Sequence, residues 1–342
     1  MRAVSLDVSA EPIDIVVTWV DGDDPQWRRS RAAHRTDSRV SREGTSEVRF
    51  RDWGALRYWF RAITKYCDWV RKIHLVTVNP TPDWLLVEHP KISVVHHEDI
   101  IDPAFLPTFN SRVIELNMHK IPGLAEKFVY FNDDMYVLRK IEPDHFFPGG
   151  EPAGMAIQTA LSVGDNITHA MLNNLRLINE TFRKREVLRA NPQKWFTCTY
   201  GRGLLQNVAL LPWSRFTGFF NHHLPIALTR TACEQVWAAY RETLTLTLES
   251  KFRQFHDANV FLFYYWQLCT GAFSPVRPSA YGVYEQLSAA NDGSNAARLI
   301  RDSATPLLCL NDGDVVDYEA TSRMIESAMA TLLPERSPVE SS

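Results

Sequence analysis

Residues 13–20 read Ile-Asp-Ile-Val-Val-Thr-Trp-Val, a nearly continuous run of apolar and β-branched side chains. Such a run is typical of a strand that is buried on both faces of a parallel sheet. It is followed at once by Asp-Gly-Asp-Asp-Pro at 21–25, which is acidic and favours a turn. The stretch therefore predicts a first strand that runs through the core and ends at an acidic turn.

Further elements follow from the same kind of pattern. Three more runs predict strands, and they lie at residues 73–78, 92–95 and 128–131. Between the first two strands, apolar residues recur at the three-and-four spacing of one buried helical face, at Trp53, Leu56, Phe60 and Ile63. Strand, helix and strand in succession imply a crossover connection and a parallel sheet.

The whole pattern predicts an α/β fold with a Rossmann-like, mostly parallel sheet flanked by helices and a more helical C-terminal region. Helix patterns include residues 111–121, and they dominate after Phe-Pro-Gly-Gly at 147–150, over about 165–190, 231–250 and 256–270. We expect four segments: disordered ends at 1–12 and 333–342, an α/β region over 13–150 and a mostly helical region over 151–332.

Composition excludes several classes of protein. The 342 residues are 45% hydrophobic and 23% charged, with a formal net charge of -3, which argues against nucleic-acid binding. The five cysteines are scattered without a CxxC pair, so we expect a reducing compartment and no zinc site built on thiolates. No apolar stretch approaches the length of a membrane span, and no signal peptide is evident. These features predict a soluble cytoplasmic protein.

Familiar catalytic motifs are absent from the sequence. It contains no GxGxxG, GxxxxGK[ST], GxSxG or HExxH pattern. This lowers the expectation of a Rossmann dehydrogenase, a P-loop kinase, an α/β-hydrolase or a zincin.

Two acidic clusters follow predicted strands, Asp21-Gly22-Asp23-Asp24 and Asn132-Asp133-Asp134. In open parallel sheets, ligands bind beyond the carboxyl ends of the strands. Adjacent carboxylates there suit Mg²⁺ or Mn²⁺ that is shared with substrate phosphates. Turn chemistry is the favoured explanation of the first cluster, and the second is as compatible with a structural role as with metal or nucleotide contact.

Basic residues suggest phosphate contacts. Arg57, Arg61 and Lys65 repeat every four residues along the first predicted helix, which is typical of a solvated stripe. Alternatively, one or more of Arg51, Arg57 and Arg61 contact a phosphate. Arg253 lies four residues before Asp257, so it could form a helix salt bridge or bind phosphate.

Two further positions carry alternative interpretations. His222 and His223 precede Leu-Pro at 224–225. They form a structural pair, or one of them acts as a general base near neutral pH. Glu115 lies in the otherwise apolar helix predicted over 111–121, where a structural and a functional role are both compatible with the pattern.

Four ordered blocks resemble the Stealth family of sugar-phosphate transferases. Residues 13–25 closely resemble the first signature block of that family, which includes bacterial capsule and exopolysaccharide phosphotransferases and the eukaryotic lysosomal-enzyme GlcNAc-1-phosphotransferase. The remaining blocks lie at 51–59 through 69–73 with 110–115 and 128–134, at 223–230, and at 252–257. The third block has Ala227 where the family often has proline, and Arg230 where lysine is common.

The resemblance implies transfer of a hexose-1-phosphate from a UDP-sugar to a sugar hydroxyl, with release of UMP, in capsular or exopolysaccharide synthesis. It implies catalytic roles for His223, with His222 as the alternative base, and for Arg253 and Arg57 on phosphate. It implies substrate binding by Trp19, Asp21, Gly22, Arg51, Glu115 and Asn132. Asp133 and Asp134 would hold a divalent cation, Mg²⁺ or Mn²⁺. The α/β region would bind the nucleotide sugar, and the helical region would complete the site.

Two alternative functions remain open at this point. One is a nucleotide-sugar glycosyltransferase that releases UDP, and the other is an inactive sugar-nucleotide-binding protein. The expected partners are a nucleotide-sugar donor and a saccharide acceptor, without nucleic acid, and peripheral association with membrane-bound polysaccharide export machinery is compatible with the sequence.

Overall fold

A computed structural model describes residues 11–35, 53–78, 80–164, 166–288, 293–313 and 315–341. Its strands are β1 (Ile13–Thr18), β2 (Ile73–Thr77), β3 (Ile92–His96), β4 (Lys127–Asn132), β5 (Met135–Val137), β6 (Ala153–Gly154), β7 (Ile226–Thr229), β8 (Ser274–Pro275), β9 (Val283–Gln286) and β10 (Leu307–Asn311). Its helices are α1 (Pro25–His34), α2 (Leu56–Tyr66), α3 (His97–Ile100), α4 (Ser111–Asn117), α5 (Asn166–Thr181), α6 (Lys184–Ala190), α7 (Pro192–Trp195), α8 (Arg202–Ala209), α9 (Arg230–Leu248), α10 (Phe261–Thr270), α11 (Pro278–Tyr281), α12 (Ser294–Asp302) and α13 (Tyr318–Leu332).

The central sheet has five strands in the order β3-β2-β1-β4-β7. The first four are parallel, and β7 is antiparallel to β4. Ile15, Val16 and Val17 of β1 have no solvent exposure, because strands flank β1 on both sides and apolar side chains cover both faces. The predicted α/β fold with a mostly parallel sheet and flanking helices is confirmed.

The chain on the C-terminal side of residue 150 adds strands to the central sheet and to a second sheet. Strand β7 joins the central sheet beside β4, and β5 pairs with β10 in a second sheet of three strands. The predicted helical stretches correspond to α5 with α6, to α9 and to α10, although α10 begins at Phe261 rather than at 256. The division of the chain at residue 150 stays a prediction, since strands on either side of it pair with each other. Among the described residues, no helix is long and apolar enough to cross a membrane.

The segment 333–342 was expected to be disordered, and the structure differs over residues 333–341. Val339 is completely buried, and its carbonyl oxygen accepts a hydrogen bond of 2.8 Å from the Leu86 N–H. The Glu340 carboxylate accepts hydrogen bonds from Arg61 Nε at 2.7 Å and Nη2 at 2.8 Å. The order of this polar segment comes from contacts with α2 and with residues near 85, which its own sequence pattern does not contain. Residues 1–10 lie outside the described residues.

An aspartate in the middle of the apolar first strand joins three parts of the fold. Asp14 is fully buried, and its carboxylate accepts hydrogen bonds from Arg71 Nε at 2.8 Å and from the Ala125 N–H at 2.8 Å. Its Oδ2 lies 3.0 Å from His74 Nε2. Burial alone would raise the pKa of Asp14, but the hydrogen bonds from His74, Arg71 and Ala125 outweigh burial and lower the pKa to about 2. The carboxylate therefore ties β1 to β2 and to the loop before β4.

We expect Asp14→Asn to lower the free energy of unfolding at pH 7 by about 2 kcal/mol or more. The folded-state pKa of about 2 lies below the ordinary 3.8, so the charged group stabilises the fold above pH 4 and loses that effect as the pH falls toward 2. Urea unfolding between pH 4 and pH 2 should show that the difference in unfolding free energy between wild type and variant narrows as the pH falls. Asp144→Asn, at an exposed position, is the control. A difference in unfolding free energy that stays constant with pH would contradict the stabilising role of the Asp14 charge.

Candidate functional site

The strand order reverses between β1 and β4, because the chain adds β2 and β3 on one side of β1 and returns to the other side for β4. Thr18 and Asn132 face each other as the last register pair of these two strands. In open parallel sheets the crevice at such a reversal is where ligands bind. The segments that begin at Trp19 and at Asp133 therefore leave the sheet side by side.

The acidic turn after β1 is mainly structural. The Asp24 side chain caps α1 by accepting a hydrogen bond of 2.6 Å from the Trp27 N–H. Asp23 pairs with Arg28. The Arg28 Nε donates to the Gly22 carbonyl oxygen at 2.7 Å. Asp21 also supports the turn, since its Oδ1 accepts a hydrogen bond of 2.9 Å from the Asp23 N–H, and it lines the adjacent cleft as well.

A cleft of about 530 Å³ lies beyond the end of β1, lined by Trp19, Asp21, Arg57, Pro82, Asp83, Trp84 and Ser341. The guanidinium carbon of Arg57 lies 5.2 Å from the centroid of the Trp84 ring. Arg57 Nε is 3.9 Å from Glu340 Oε2. The structure thus brings three predicted residues, Trp19, Asp21 and Arg57, to one cavity with aromatic, cationic and anionic walls.

The rest of the predicted basic stripe has other partners. Arg61 binds Glu340 and the carbonyl oxygen of Leu333, so its phosphate interpretation is wrong in this structure. The Lys65 ammonium lies 5.5 Å from the Tyr66 ring, on the exposed side of the helix. Arg51 lies outside the described residues.

A second group of polar residues surrounds Glu115 on α4. Asn110 caps this helix, with its side chain accepting from the Arg112 N–H at 3.2 Å. Ser111 Oγ donates to Glu115 Oε1 at 3.0 Å, one helical turn away, and accepts from Arg253 Nη2 at 2.7 Å. Glu115 Oε2 accepts from the Val260 N–H at 3.2 Å. Arg253 is therefore joined to Glu115 through one hydroxyl group.

The loop that carries Arg253 is held by a completely buried carboxylate. Asp257 Oδ2 accepts from Asn110 Nδ2 at 2.9 Å, from the Gln254 N–H at 2.8 Å and from Arg112 Nη1 at 3.3 Å. The helix salt bridge between Arg253 and Asp257, one of the two alternatives, does not form, because this segment is a loop and Asp257 pairs with Arg112 instead. Burial, and next the charge of Arg253, lower the pKa of Arg112.

The turn between β4 and β5 brings two carboxylates to the same place. Burial raises the pKa of Asp134 to about 6, while its own N–H, Cys309 and the charge of Arg253 act in the opposite direction. Burial raises the pKa of Tyr130, and Glu115, Asp133 and Asp134 raise it further. The Tyr130 hydroxyl donates to Asn132 Oδ1. Tyr130 therefore lies within electrostatic reach of all three carboxylates, and Arg253 within reach of Asp134.

The two adjacent histidines differ in environment. His222 is buried, its Nδ1 accepts from the Leu224 N–H at 3.2 Å, and burial together with the charge of His223 lowers the pKa of His222 to about 3. His223 is partly exposed, with a backbone φ of 44° and its ring 5.2 Å from that of Tyr284. Burial raises the pKa of Tyr284 to about 12, and Cys309 and Asp134 raise it further. Tyr284 thus contacts His223 and is within electrostatic reach of the Asp134 carboxylate, and His223 is the better candidate base.

The donor set fits a divalent cation that is shared with a substrate. Within the described ranges, no group of three or more His, Cys, Asp or Glu side chains could hold a metal ion by itself. A magnesium ion bound together with phosphates needs only one or two carboxylates. Asp134 offers a buried Oδ1 without a hydrogen-bond partner, and Asp133 adjoins it. These residues fit a cation that also binds a diphosphate, and they do not fit an all-protein cage.

Comparison with known proteins decides the family. The family model described as "Stealth protein CR1, conserved region 1" matches residues 11–39, and the one described as "Stealth protein CR2, conserved region 2" matches residues 49–153. The capsular polysaccharide phosphotransferase WcwK of Streptococcus pneumoniae is 37% identical over 332 residues, which cover 96% of this chain and 98% of that protein. The chain belongs to the Stealth family.

Other similarities agree with the Stealth assignment. The exopolysaccharide phosphotransferase cps2G of Lactiplantibacillus plantarum is 37% identical over 334 residues, covering 96% of both chains. This Stealth chain is an enzyme of the phosphotransferase class, as predicted. Among solved structures, the galactosyltransferase LgtC with donor and acceptor sugar analogues aligns over 95% of this chain and 98% of that chain, with a TM-score of 0.41 and 10% identity. That likeness is too weak to bear on the reaction.

Several residues of the candidate site have no distinctive pattern in the sequence. Trp84 and Tyr130 carried no signal beyond aromatic character, and Tyr284 lies on β9, which was not predicted. Cys309, on the unpredicted β10, hydrogen-bonds Asp134. Only the pairing of β10 beside β5 reveals that this thiol and the β4 turn are neighbours.

We expect Asp257→Asn to lower the free energy of unfolding by about 3 kcal/mol, because it leaves the buried Arg112 guanidinium without its carboxylate. Chemical denaturation at neutral pH measures the loss. Asp302→Asn breaks an exposed ion pair with Arg298 and should cost less than about 0.5 kcal/mol. Equal effects of the two substitutions would contradict the structural role of Asp257.

Proposed function

We propose that this chain transfers a hexose-1-phosphate from a UDP-sugar to a hydroxyl group of a second sugar, releases UMP and acts in capsular or exopolysaccharide synthesis. The family and its phosphotransferase relatives support sugar-phosphate transfer. The observation that carries the proposal is the joining of Arg253 to Glu115 through Ser111, with the charge of Arg253 acting on Asp134. A guanidinium that is joined to Glu115 of α4 and acts on Asp134 at the end of β4 suits a diphosphate and its cation.

The reaction needs one proton transfer and one exchange of bonds at phosphorus. His223 takes the proton of the acceptor hydroxyl on a ring nitrogen. The acceptor oxygen then forms a bond to the phosphorus that carries the sugar. The bond from that phosphorus to the bridging oxygen breaks, and its electron pair leaves with UMP. Because the sugar keeps its own bond to phosphorus, the product is a phosphodiester.

Positioning and charge neutralisation supply most of the catalysis in such a transfer. Arg253 binds the phosphate whose charge changes, and its hydrogen bond to Ser111 fixes the direction of the guanidinium. A divalent cation held by Asp133 and Asp134 would neutralise the diphosphate when bound. Glu115 orients the sugar or supports the cation, and Asn132, bonded to Tyr130, borders the same crevice.

The cleft beyond β1 is our candidate for the nucleotide. Trp19 and Trp84 offer aromatic faces for a base, Asp21 offers an acceptor for its N–H or for ribose hydroxyls, and Arg57 offers a cation for phosphate. Gly22 shapes the turn beneath the cleft, since its carbonyl oxygen binds Arg28. Arg51 remains a predicted phosphate contact.

We expect His223→Gln to reduce kcat by more than about a hundredfold while donor affinity is kept, because a general base contributes about this much. His222→Gln should lower stability and leave kcat within about fivefold of wild type, since the buried His222 supports the backbone at Leu224. Steady-state kinetics and isothermal titration with donor measure both effects. A larger loss of kcat in His222→Gln than in His223→Gln would assign the base to His222.

Products separate phosphate transfer from glycosyl transfer. With a UDP-sugar labelled at the β-phosphate, we expect UMP as the nucleotide product and the label in the saccharide. Chelator should abolish turnover, and Mg²⁺ or Mn²⁺ should restore it. Release of UDP that carries the label would instead identify a glycosyltransferase. No turnover with any UDP-sugar, despite binding, would favour the inactive binding protein.

A further inference from the structure

Helix α8 buries the polar side chain of Asn207 and exposes the large apolar side chains of Leu205 and Val208, the reverse of the usual arrangement. Gly203 and Asn207 form its buried face. Asn207 donates its amide to the carbonyl oxygens of Ala156 and Trp195 at 2.7 Å each. A side chain at Gly203 would meet Ile157, since a Cβ there would lie 2.6 Å from Ile157 Cδ1. The helix is therefore held firmly with its apolar side outward.

Leu205 and Val208 on the outward side of α8, together with Leu211 and Trp213 just after the helix, are four large exposed apolar residues, which we name the α8 patch. Leu205 is 69% exposed, Val208 51%, Leu211 44% and Trp213 52%. Single exposed apolar side chains are ordinary, but four large ones within nine residues of the chain are typical of an interaction surface. None of these residues belongs to the cleft or to the Glu115 group.

The surroundings of the α8 patch are strongly basic. Residues 183–215 contain seven Lys and Arg against one Glu, a formal charge of +6 in a chain whose net charge is -3. Lys184 of α6 donates to the Leu210 carbonyl oxygen at 2.5 Å, so the basic helix α6 adjoins the end of α8. The exposed arginines of this segment are Arg183, Arg185, Arg189, Arg202 and Arg215.

We propose that the α8 patch docks this protein on the surface of an anionic phospholipid bilayer. Leucine and valine side chains on an outward helix face enter the interfacial region, and a tryptophan at the patch edge suits the level of the headgroups. The flanking arginines bind acidic headgroups. This charge complementarity favours an anionic bilayer over an uncharged apolar partner. The docking surface is a separate property from the proposed reaction, because it involves no residue of the catalytic group.

Vesicle co-sedimentation of the full chain tests the proposal. At low ionic strength we expect binding to phosphatidylcholine vesicles that contain about a third phosphatidylglycerol, and at least about tenfold weaker binding to phosphatidylcholine alone. Leu205→Asp should weaken binding to the anionic vesicles by about tenfold or more. Leu246→Asp is the matched control, since Leu246 is 51% exposed on α9 and lies outside the patch. Both variants should keep the wild-type Tm, because both side chains are exposed.

A second variant separates charge from apolar contact. Arg202→Glu combined with Arg215→Glu should weaken binding to anionic vesicles and remove its salt dependence. Three results would overturn the proposal: wild type that stays in the supernatant with anionic vesicles, Leu205→Asp that binds as wild type does, or a dimer in sedimentation velocity that Leu205→Asp dissociates. The last result would assign the patch to a contact between two copies.

Discussion

Asp257 has no solvent exposure, and its carboxylate receives hydrogen bonds from Asn110, from Arg112 and from the Gln254 N–H. A buried charge is costly unless it is paired, and all three of these donors converge on the Oδ2 atom of Asp257. Two of them flank the start of α4, and the third belongs to the loop of Arg253. This constraint fixes the distance between the helix of Glu115 and the guanidinium that the proposed reaction needs.

The central sheet fixes the other half of the site. Register between β1 and β4 ends with Thr18 beside Asn132, so the acidic turns that follow must share one crevice. Asp14 locks β1 at its opposite end through Arg71 and the Ala125 N–H. The proposed catalytic group thus depends on two buried carboxylates, Asp14 in the sheet and Asp257 under the loop.

Sequence patterns predicted the parts of this protein whose environment is local. The run at 13–20 predicted a buried strand because its burial on both faces requires apolar residues along its whole length, and the structure agrees. Strand β7 was not predicted, since its four residues acquire their role only by pairing with β4. The order of residues 333–341 and the Arg112–Asp257 pair depend on partners far away in the chain, and no local period encodes such contacts. Family resemblance collected the residues of the site, but only the fold showed which of them meet.

The central claim is that Arg253 and Asp134, from distant segments, act on one diphosphate. A double-mutant cycle with Arg253→Ala and Asp134→Asn tests it most directly, with titration calorimetry of a UDP-sugar that the wild type turns over and with cation present. We expect the two substitutions to be coupled by at least about 1 kcal/mol in binding free energy, because residues that share a ligand are not additive. Losses that add within about 0.3 kcal/mol would mean that the two groups act on separate ligand sites and would contradict the account.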